Sequence, residues 1–352
     1  MTTARRPVRA AWVSTTLCAF LIKILDELFN NVNIDNMKII IDQRIELITI
    51  IQTLCDYWDN LSQKFYKKRL PKSKYKDNVV EYFGKYKKHE TILLYENLCN
   101  NVPCISSFLD FVLHYSEPPK LNKIIDYKKN IPIDFFKSMK IFYNDTNFKY
   151  FFEENKSEYK KIIIDYGDKN KILNELKNTF EYLDINNTKN ISIIISPLVL
   201  GNFGLKLETE NYIIVSPNDY VDNKYIFGSM ASKIVILRHE IGHTVINDLT
   251  DKYKKYIEIK DIEIADIDKI YNNIETIINE YIIRSIVFML EEDRNAANSI
   301  LENETKCGFG KIGKIKKYIH ENCSRNKKLL KDDSYINLIK YVLENISKSN
   351  CA

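Results

Sequence analysis

The sequence lacks the features that mark several common functions. None of its 7 cysteines stands in a C-x-x-C pair, which excludes a zinc ribbon and a dithiol redox motif. Their number is odd, and Cys18, Cys55, Cys99, Cys104, Cys307, Cys323 and Cys351 read as buried thiols, with Cys99 and Cys104 placed to close a small loop if the protein is exported. No internal repeat of fixed period is present, which argues against a solenoid. Gly308, Gly310 and Gly313 follow no strand and precede no Lys-Ser/Thr pair, so they do not form a phosphate loop. The apolar run beginning at Ala10 meets Lys23 before it could cross a bilayer. Charge is nearly balanced, with 52 Lys+Arg against 47 Asp+Glu and a net charge of +5. The lysines are interspersed with acids along the whole chain, which describes a solvated surface and not a nucleic-acid track. No nucleic-acid partner and no stable membrane span are therefore expected.

What is present is a chain of 352 residues, 45% hydrophobic and 28% charged, long enough to bury a large core. Residues 1–36 stand apart as a leader. Arg5, Arg6 and Arg9 precede an apolar stretch, an order that fits a secretory signal, although no small-x-small cleavage site follows. The alternatives are a vector-derived leader or a natural start at Met37. The protein is cytoplasmic if it starts at Met37, and secreted or surface-anchored if residues 1–25 act as a signal. Residues 37–188 read as a mainly helical lobe after a short strand at Met37 to Ile41, with breaks at Pro103, Pro118 and Gly167. Residues 189–352 form a second lobe. Its β-branched runs Ile191 to Ile195 and Tyr212 to Val215 predict a small antiparallel sheet, and Ile315 to Ile346 predicts one or two covering helices.

The second lobe carries the chemistry. Met230, Ile234, Leu237, Ile241, Val245 and Leu249 recur at helical steps, so one amphipathic helix is predicted over 229–249. Within it the sequence reads His239-Glu240-Ile241-Gly242-His243, although the whole chain has only 5 His. Histidines four apart lie one turn apart on one face, and their nitrogens can converge on an ion at about 2.0–2.1 Å, the bond length of zinc. Glu240 sits about 100° round the helix, beside that point, where a carboxylate can take a proton from an activated water. His89, His114 and His320 have no metal spacing and read as surface or structural histidines.

A zinc site needs a third protein ligand. The run Thr276 to Leu290 is apolar almost throughout, and Glu280 and Arg284 interrupt it. A buried charge is costly unless it is paired or bound to a metal. Glu280 is therefore the candidate ligand, with Arg284 one turn on holding its other oxygen; a plain buried Glu-Arg pair is the alternative. Glu263, Asp266, Asp268 and Glu275 are weaker rivals in polar surroundings. Asn279, Tyr281 and Arg284 are the candidates for supporting the ligand or for stabilising an oxyanion.

The His239-Glu240-x-x-His243 motif with Asn279-Glu280 downstream resembles the gluzincin class of zinc metallopeptidases. Within that class the chain is similar to the uncharacterised, mostly bacterial family called domain of unknown function 4932. The shared motifs are Arg44-Ile45-Glu46-Leu47-Ile48-Thr49-Ile50-Ile51, a strand ending in Ser196-Pro197-Leu198, the His helix, and Asn279 to Arg284. The resemblance spans roughly residues 38–345. It implies a zincin-like α+β fold, predominantly helical, with the sheet packed on the His helix and on the following glutamate helix. It also implies that a strand over the cleft, with Tyr212 and Ile214 as candidates, holds an extended substrate backbone.

The expected activity is hydrolysis of peptide bonds with one Zn2+ per chain. His239, His243 and Glu280 are the ligands and Glu240 is the general base. Peptide or protein is the expected substrate. Three alternatives stand beside it: a catalytically silent zincin-like binding or structural module, a metallohydrolase of non-peptide amides, and a basic surface-binding protein in which the His pair is incidental. Oligomeric state and specificity are not legible.

Overall fold

The computed structural model describes residues 37–56, 70–99, 105–127, 131–185, 190–208, 210–256, 273–323 and 332–347. In chain order its elements begin with β1 (Met37–Ile40), α1 (Gln43–Leu54), α2 (Lys74–Phe83), α3 (Glu90–Cys99) and α4 (Ile105–Leu113). Then come α5 (Ile133–Asp145), α6 (Phe148–Glu154), α7 (Lys156–Tyr166) and α8 (Lys169–Tyr182). Strands β2 (Asn190–Ile195), β3 (Phe203–Lys206), β4 (Glu210–Val215), β5 (Asp219–Val221) and β6 (Lys224–Ile226) follow. The chain closes with α9 (Met230–Tyr253), α10 (Ile274–Met289), α11 (Arg294–Lys306), α12 (Ile312–Asn322) and α13 (Asp332–Ile346). The architecture is α+β and mostly helical. No helix among the described residues is long and apolar enough to cross a membrane.

The main sheet has the order β1-β2-β4-β3. It is mixed, which corrects the expected antiparallel sheet. β1 pairs parallel with β2, β2 pairs parallel with β4, and only β3 pairs antiparallel with β4. The expected antiparallel pairing of Ile191 to Ile195 with Tyr212 to Val215 fails because the segment between them is itself a strand. β3 returns along the outside, so β4 enters between β2 and β3 and runs the same way as β2.

Both faces of this sheet are covered, which explains the near-continuous apolar runs of β2 and β4. Ile191, Ile193, Ile195, Ile213 and Val215 face a cluster with residues of α7 to α10, α12 and α13. Ile194, Tyr212 and Ile214 face a second cluster built from α1 to α7. Met37 of β1 and Leu173 and Phe180 of α8 belong to the first cluster, so apolar packing crosses residue 188.

The helix starts follow local chemistry. Asp42 caps α1 by accepting from the backbone of Arg44 and Ile45, Ser229 caps α9 through Ser232, and Asn273 caps α10 through Glu275. α1 is buried from Arg44 to Leu54; the carboxamide of Gln52 finds no partner there, but the charged residues Arg44 and Glu46 are paired. Arg44 donates to Asp42 and to the carbonyls of Leu113 and Tyr115. Glu46 accepts from Tyr75 Oη and from Ser196 Oγ, both at 2.6 Å. The two motifs at Arg44 to Ile51 and Ser196 to Leu198 thus meet in one buried contact that pins α1 to the end of β2.

Candidate metal centre

Helix α9 lies on the sheet face that carries Ile213 and is held between β3 and α10. A glycine admits each neighbour. A Cβ on Gly204 of β3 would lie 1.9 Å from the backbone oxygen of Glu240, and one on Gly242 would lie 2.9 Å from Ile283 Cγ2 of α10. Both contacts require the missing side chain. The first sets an edge strand directly on the Glu240 turn, and the second lets α10 close in until Glu280 faces the histidines.

His239, His243 and Glu280 form the one group of potential ligands, among the described residues, whose donor atoms converge, all within 4.8 Å of one another. The two Nε2 atoms are 3.1 Å apart, His243 Nε2 is 3.4 Å from Glu280 Oε1, and His239 Nε2 is 3.6 Å from Glu280 Oε2. Tetrahedral coordination at zinc bond lengths puts neighbouring ligand atoms about 3.3 Å apart. The donor set therefore fits a divalent ion in both chemistry and spacing. The rivals Glu263, Asp266 and Asp268 lie outside the described residues, and Glu275 is not in the group.

Arg284 pairs with Glu280. Its Nε and Nη2 both reach Glu280 Oε2 at 2.8 Å, which leaves Oε1 turned to His243. The guanidinium is itself held, by an ion pair with Glu304 of α11 and by the ring of Phe309, 4.2 Å away. Asn279 donates to Asn247 Oδ1 at 3.0 Å, and Asn247 Oδ1 lies 3.2 Å from His243 Nδ1. Tyr281 is not brought to the centre. Its hydroxyl donates to the Gly308 carbonyl and its ring packs on Phe309.

Burial lowers the His239 pKa to about 3, with His243 and Arg284 adding to the effect and Glu280 opposing it. At His243 burial also acts downward, but Glu280, Glu240 and Asn247 outweigh it and the net direction is up. Burial pushes Glu280 upward, yet the two histidines and Arg284 prevail and hold it at about 2. Glu240 is raised to about 7, chiefly by burial and by Glu280, against the downward pull of His243, Arg284 and a backbone hydrogen bond from Gly204. A carboxylate poised near neutrality is suited to accept and return a proton.

The strand expectation needs a correction. Tyr212 and Ile214 lie on β4, which pairs with β2 on one side and β3 on the other, so they offer no free edge. Tyr212 turns to the helical cluster, and its hydroxyl donates to Glu210 at 3.0 Å. The sheet edge at the centre is β3, whose Lys206 also pairs with Asp248 of α9. The sequence reading missed Gly204, Asn247, Glu304 and Phe309. Of these only Asn247 carried a signal, being one turn beyond His243 on the ligand face.

The remaining histidines lie elsewhere: His89 contacts Asp145 at 3.3 Å and His114 contacts Asp110 at 3.5 Å. Cys55, Cys99 and Cys323 are buried and Cys307 is exposed. Cys18, Cys104 and Cys351 lie outside the described residues, as does the leader at 1–36.

A family model described as Domain of unknown function (DUF4932) matches residues 106–341. The match takes in the sheet strands β2 to β4, the His helix and the Glu280 helix, and it begins after the Arg44 motif. No curated protein and no solved structure matches the chain.

Proposed function

The chain belongs to the family Domain of unknown function (DUF4932), and within that family we propose that it is a zinc-dependent peptidase of gluzincin type, with a zincin-like catalytic lobe. One observation carries the reading. The Nε2 atoms of His239 and His243 stand 3.1 Å apart, and each faces a carboxylate oxygen of Glu280, at 3.6 Å and 3.4 Å, with the buried carboxyl of Glu240 on the same turn and a sheet edge over it.

His239 and His243 would hold the ion through Nε2 and Glu280 through Oε1. Bound there, zinc supplies a Lewis acid that acidifies a water and polarises a carbonyl. Glu240 takes the proton of the attacking water at its carboxylate and gives it to the nitrogen of the leaving amine. Burial of its carboxyl raises its affinity for a proton, which suits a group that must take one and return it. Arg284 keeps Glu280 ionised and orients its free oxygen. The outer edge of β3 receives the substrate backbone in extended form, so that main-chain hydrogen bonds supply affinity without demanding a particular sequence.

The test has two stages. Elemental analysis of the wild type is expected to find about one zinc per chain, lost in His243→Ala and in Glu280→Ala. A peptide library is then offered to the loaded protein, with Glu240→Gln as a variant that keeps the ion but does not cleave. A wild type that takes up no divalent metal defeats the reading. A loaded wild type that cleaves nothing removes the peptidase assignment and leaves a metal-braced module.

A further inference from the structure

The His243 imidazole is backed by a polar chain that runs from the centre to the last helix. Asn247 Oδ1 lies 3.2 Å from His243 Nδ1 and accepts from Asn279 Nδ2 at 3.0 Å. Asn279 Oδ1 in turn accepts from Thr250 Oγ1. Thr250 Oγ1 lies 2.7 Å from the hydroxyl of Tyr335 on α13, which donates to the Ile246 carbonyl at 3.4 Å. Thr250 and Tyr335 are 1% and 0% exposed, while Asn247 lies at the rim of the cleft and is exposed.

Hydrogen-bond direction gives this chain a consequence. A carboxamide at the rim can present either its oxygen or its nitrogen to the imidazole, and the two choices select opposite tautomers. Oxygen toward Nδ1 demands Nδ1–H and leaves the Nε2 lone pair on the ligand side. Nitrogen toward Nδ1 demands the reverse, and Nε2 then carries the proton and cannot bind an ion. The interior members decide between them. Thr250 spends its proton on Asn279 Oδ1. Asn279 then points its NH2 at Asn247, and Asn247 must turn its oxygen to the shared position.

We propose that Asn247, Asn279, Thr250 and Tyr335 act as a positioning relay that sets the Nδ1–H tautomer of His243 and so makes its Nε2 available as a ligand. The relay deepens the metal-centre reading and rests on it for its purpose, though the tautomer can be measured without any metal. It also brings α13 to the far end of the chain, where the Tyr335 hydroxyl meets Thr250.

Zinc alone is the probe in the first test, with affinity read by chelator competition on the full chain. Asn247→Leu removes the acceptor and is expected to weaken zinc binding by about 10–100-fold. Asn247→Asp, which can only accept, is expected to keep the affinity at or above that of the wild type. Thr250→Val frees Asn279 to turn and is expected to cost several-fold. Nitrogen-resolved NMR of the metal-free wild type, at a pH where His243 carries one proton, is expected to find that proton on Nδ1. A proton on Nε2, or zinc binding as weak in Asn247→Asp as in Asn247→Leu, overturns the relay. A wild type with the proton on Nδ1 that nonetheless takes up no zinc leaves the relay standing and defeats the metal reading, so the two failures are distinct. Circular dichroism of each variant keeps misfolding from counting as lost affinity.

Discussion

Glu46 is fully buried and its carboxyl oxygens are met by the hydroxyls of Tyr75 and Ser196. Burial raises its pKa from 4.5 to about 7, even though both hydroxyl donors act downward. A carboxyl that holds its proton more tightly in the folded state than in the unfolded chain stabilises the fold fully below pH 4.5. That advantage is lost as pH rises through about 7. At about 1.4 kcal/mol per pH unit, the loss comes to about 3 kcal/mol between the unfolded pKa and alkaline pH, a sizeable part of an ordinary protein's stability. Glu46→Gln replaces the protonated carboxyl by a neutral group of the same shape, with one acceptor and one donor side. Urea unfolding of wild type and variant at pH 5, 6, 7, 8 and 9 isolates this one group, because every other titration is common to both. The two proteins are expected to match within about 1 kcal/mol at pH 5, and the variant to be the more stable by about 3 kcal/mol at pH 9. A difference that stays constant across this range would mean that the two hydroxyls fully solvate the carboxylate, and the desolvation argument would fall.

Other consequences concern the centre. Added zinc should raise the thermal midpoint of the wild type by several degrees, since a ligand at 100 times its Kd contributes about 2.7 kcal/mol, while Glu280→Ala should show no such rise in calorimetry. Gly204→Ala forces a Cβ to within 1.9 Å of the Glu240 carbonyl; a loss of about 1–3 kcal/mol or more in chemical unfolding is expected, together with lost cleavage. Gly242→Val should push α10 off α9 and weaken zinc binding, and the second change Ile283→Ala should restore part of it if the contact is the cause. Glu304→Gln loosens Arg284 and is expected to lower zinc affinity about tenfold, measured by the same chelator competition.

Much of the centre was legible because its signals are local. Two histidines four apart on a periodic helix share a face whatever the rest of the chain does, and Glu280 declared itself as a charge in an apolar run. What stayed hidden depends on where distant segments go. Phe203-Gly-Leu-Lys is four residues long and includes a glycine and a lysine, so it reads as a connection. Only its pairing with Ile214 to Asn211 makes it a strand. With β3 overlooked, β2 and β4 had to be paired antiparallel, and the sheet acquired the wrong direction. The same omission made Tyr212 and Ile214 read as an edge strand, although β4 lies inside the sheet. Glu304 and Phe309 follow α10 in the chain and meet Arg284 only after the chain turns back, which no spacing within α10 announces. Tyr281 shows the limit of adjacency: it neighbours Glu280 in sequence, but a helix turns about 100° per residue, and its hydroxyl ends on the carbonyl of Gly308.

Gly204 and Gly242 connect these observations. Ordinary helices pack with axes about 8–10 Å apart, set by the side chains between them. At Gly242 that layer is removed on one side of α9, and at Gly204 it is removed on the β3 side, so the turn from His239 to His243 is closely flanked on both. The approach on the Gly242 side lets a glutamate on α10 set Oε1 3.4 Å from His243 and Oε2, which Arg284 also holds, 3.6 Å from His239. The approach on the Gly204 side brings a backbone hydrogen bond to Glu240, one of the few influences that lower its pKa against burial. The small residue inside the His-Glu-x-Gly-His motif and the glycine of the edge strand thus govern the spacing of the His239, His243 and Glu280 side chains and the proton affinity of Glu240. A substitution at either should disturb the centre's chemistry before it unfolds the protein, because the clash lies at the centre and the two apolar clusters extend far beyond it.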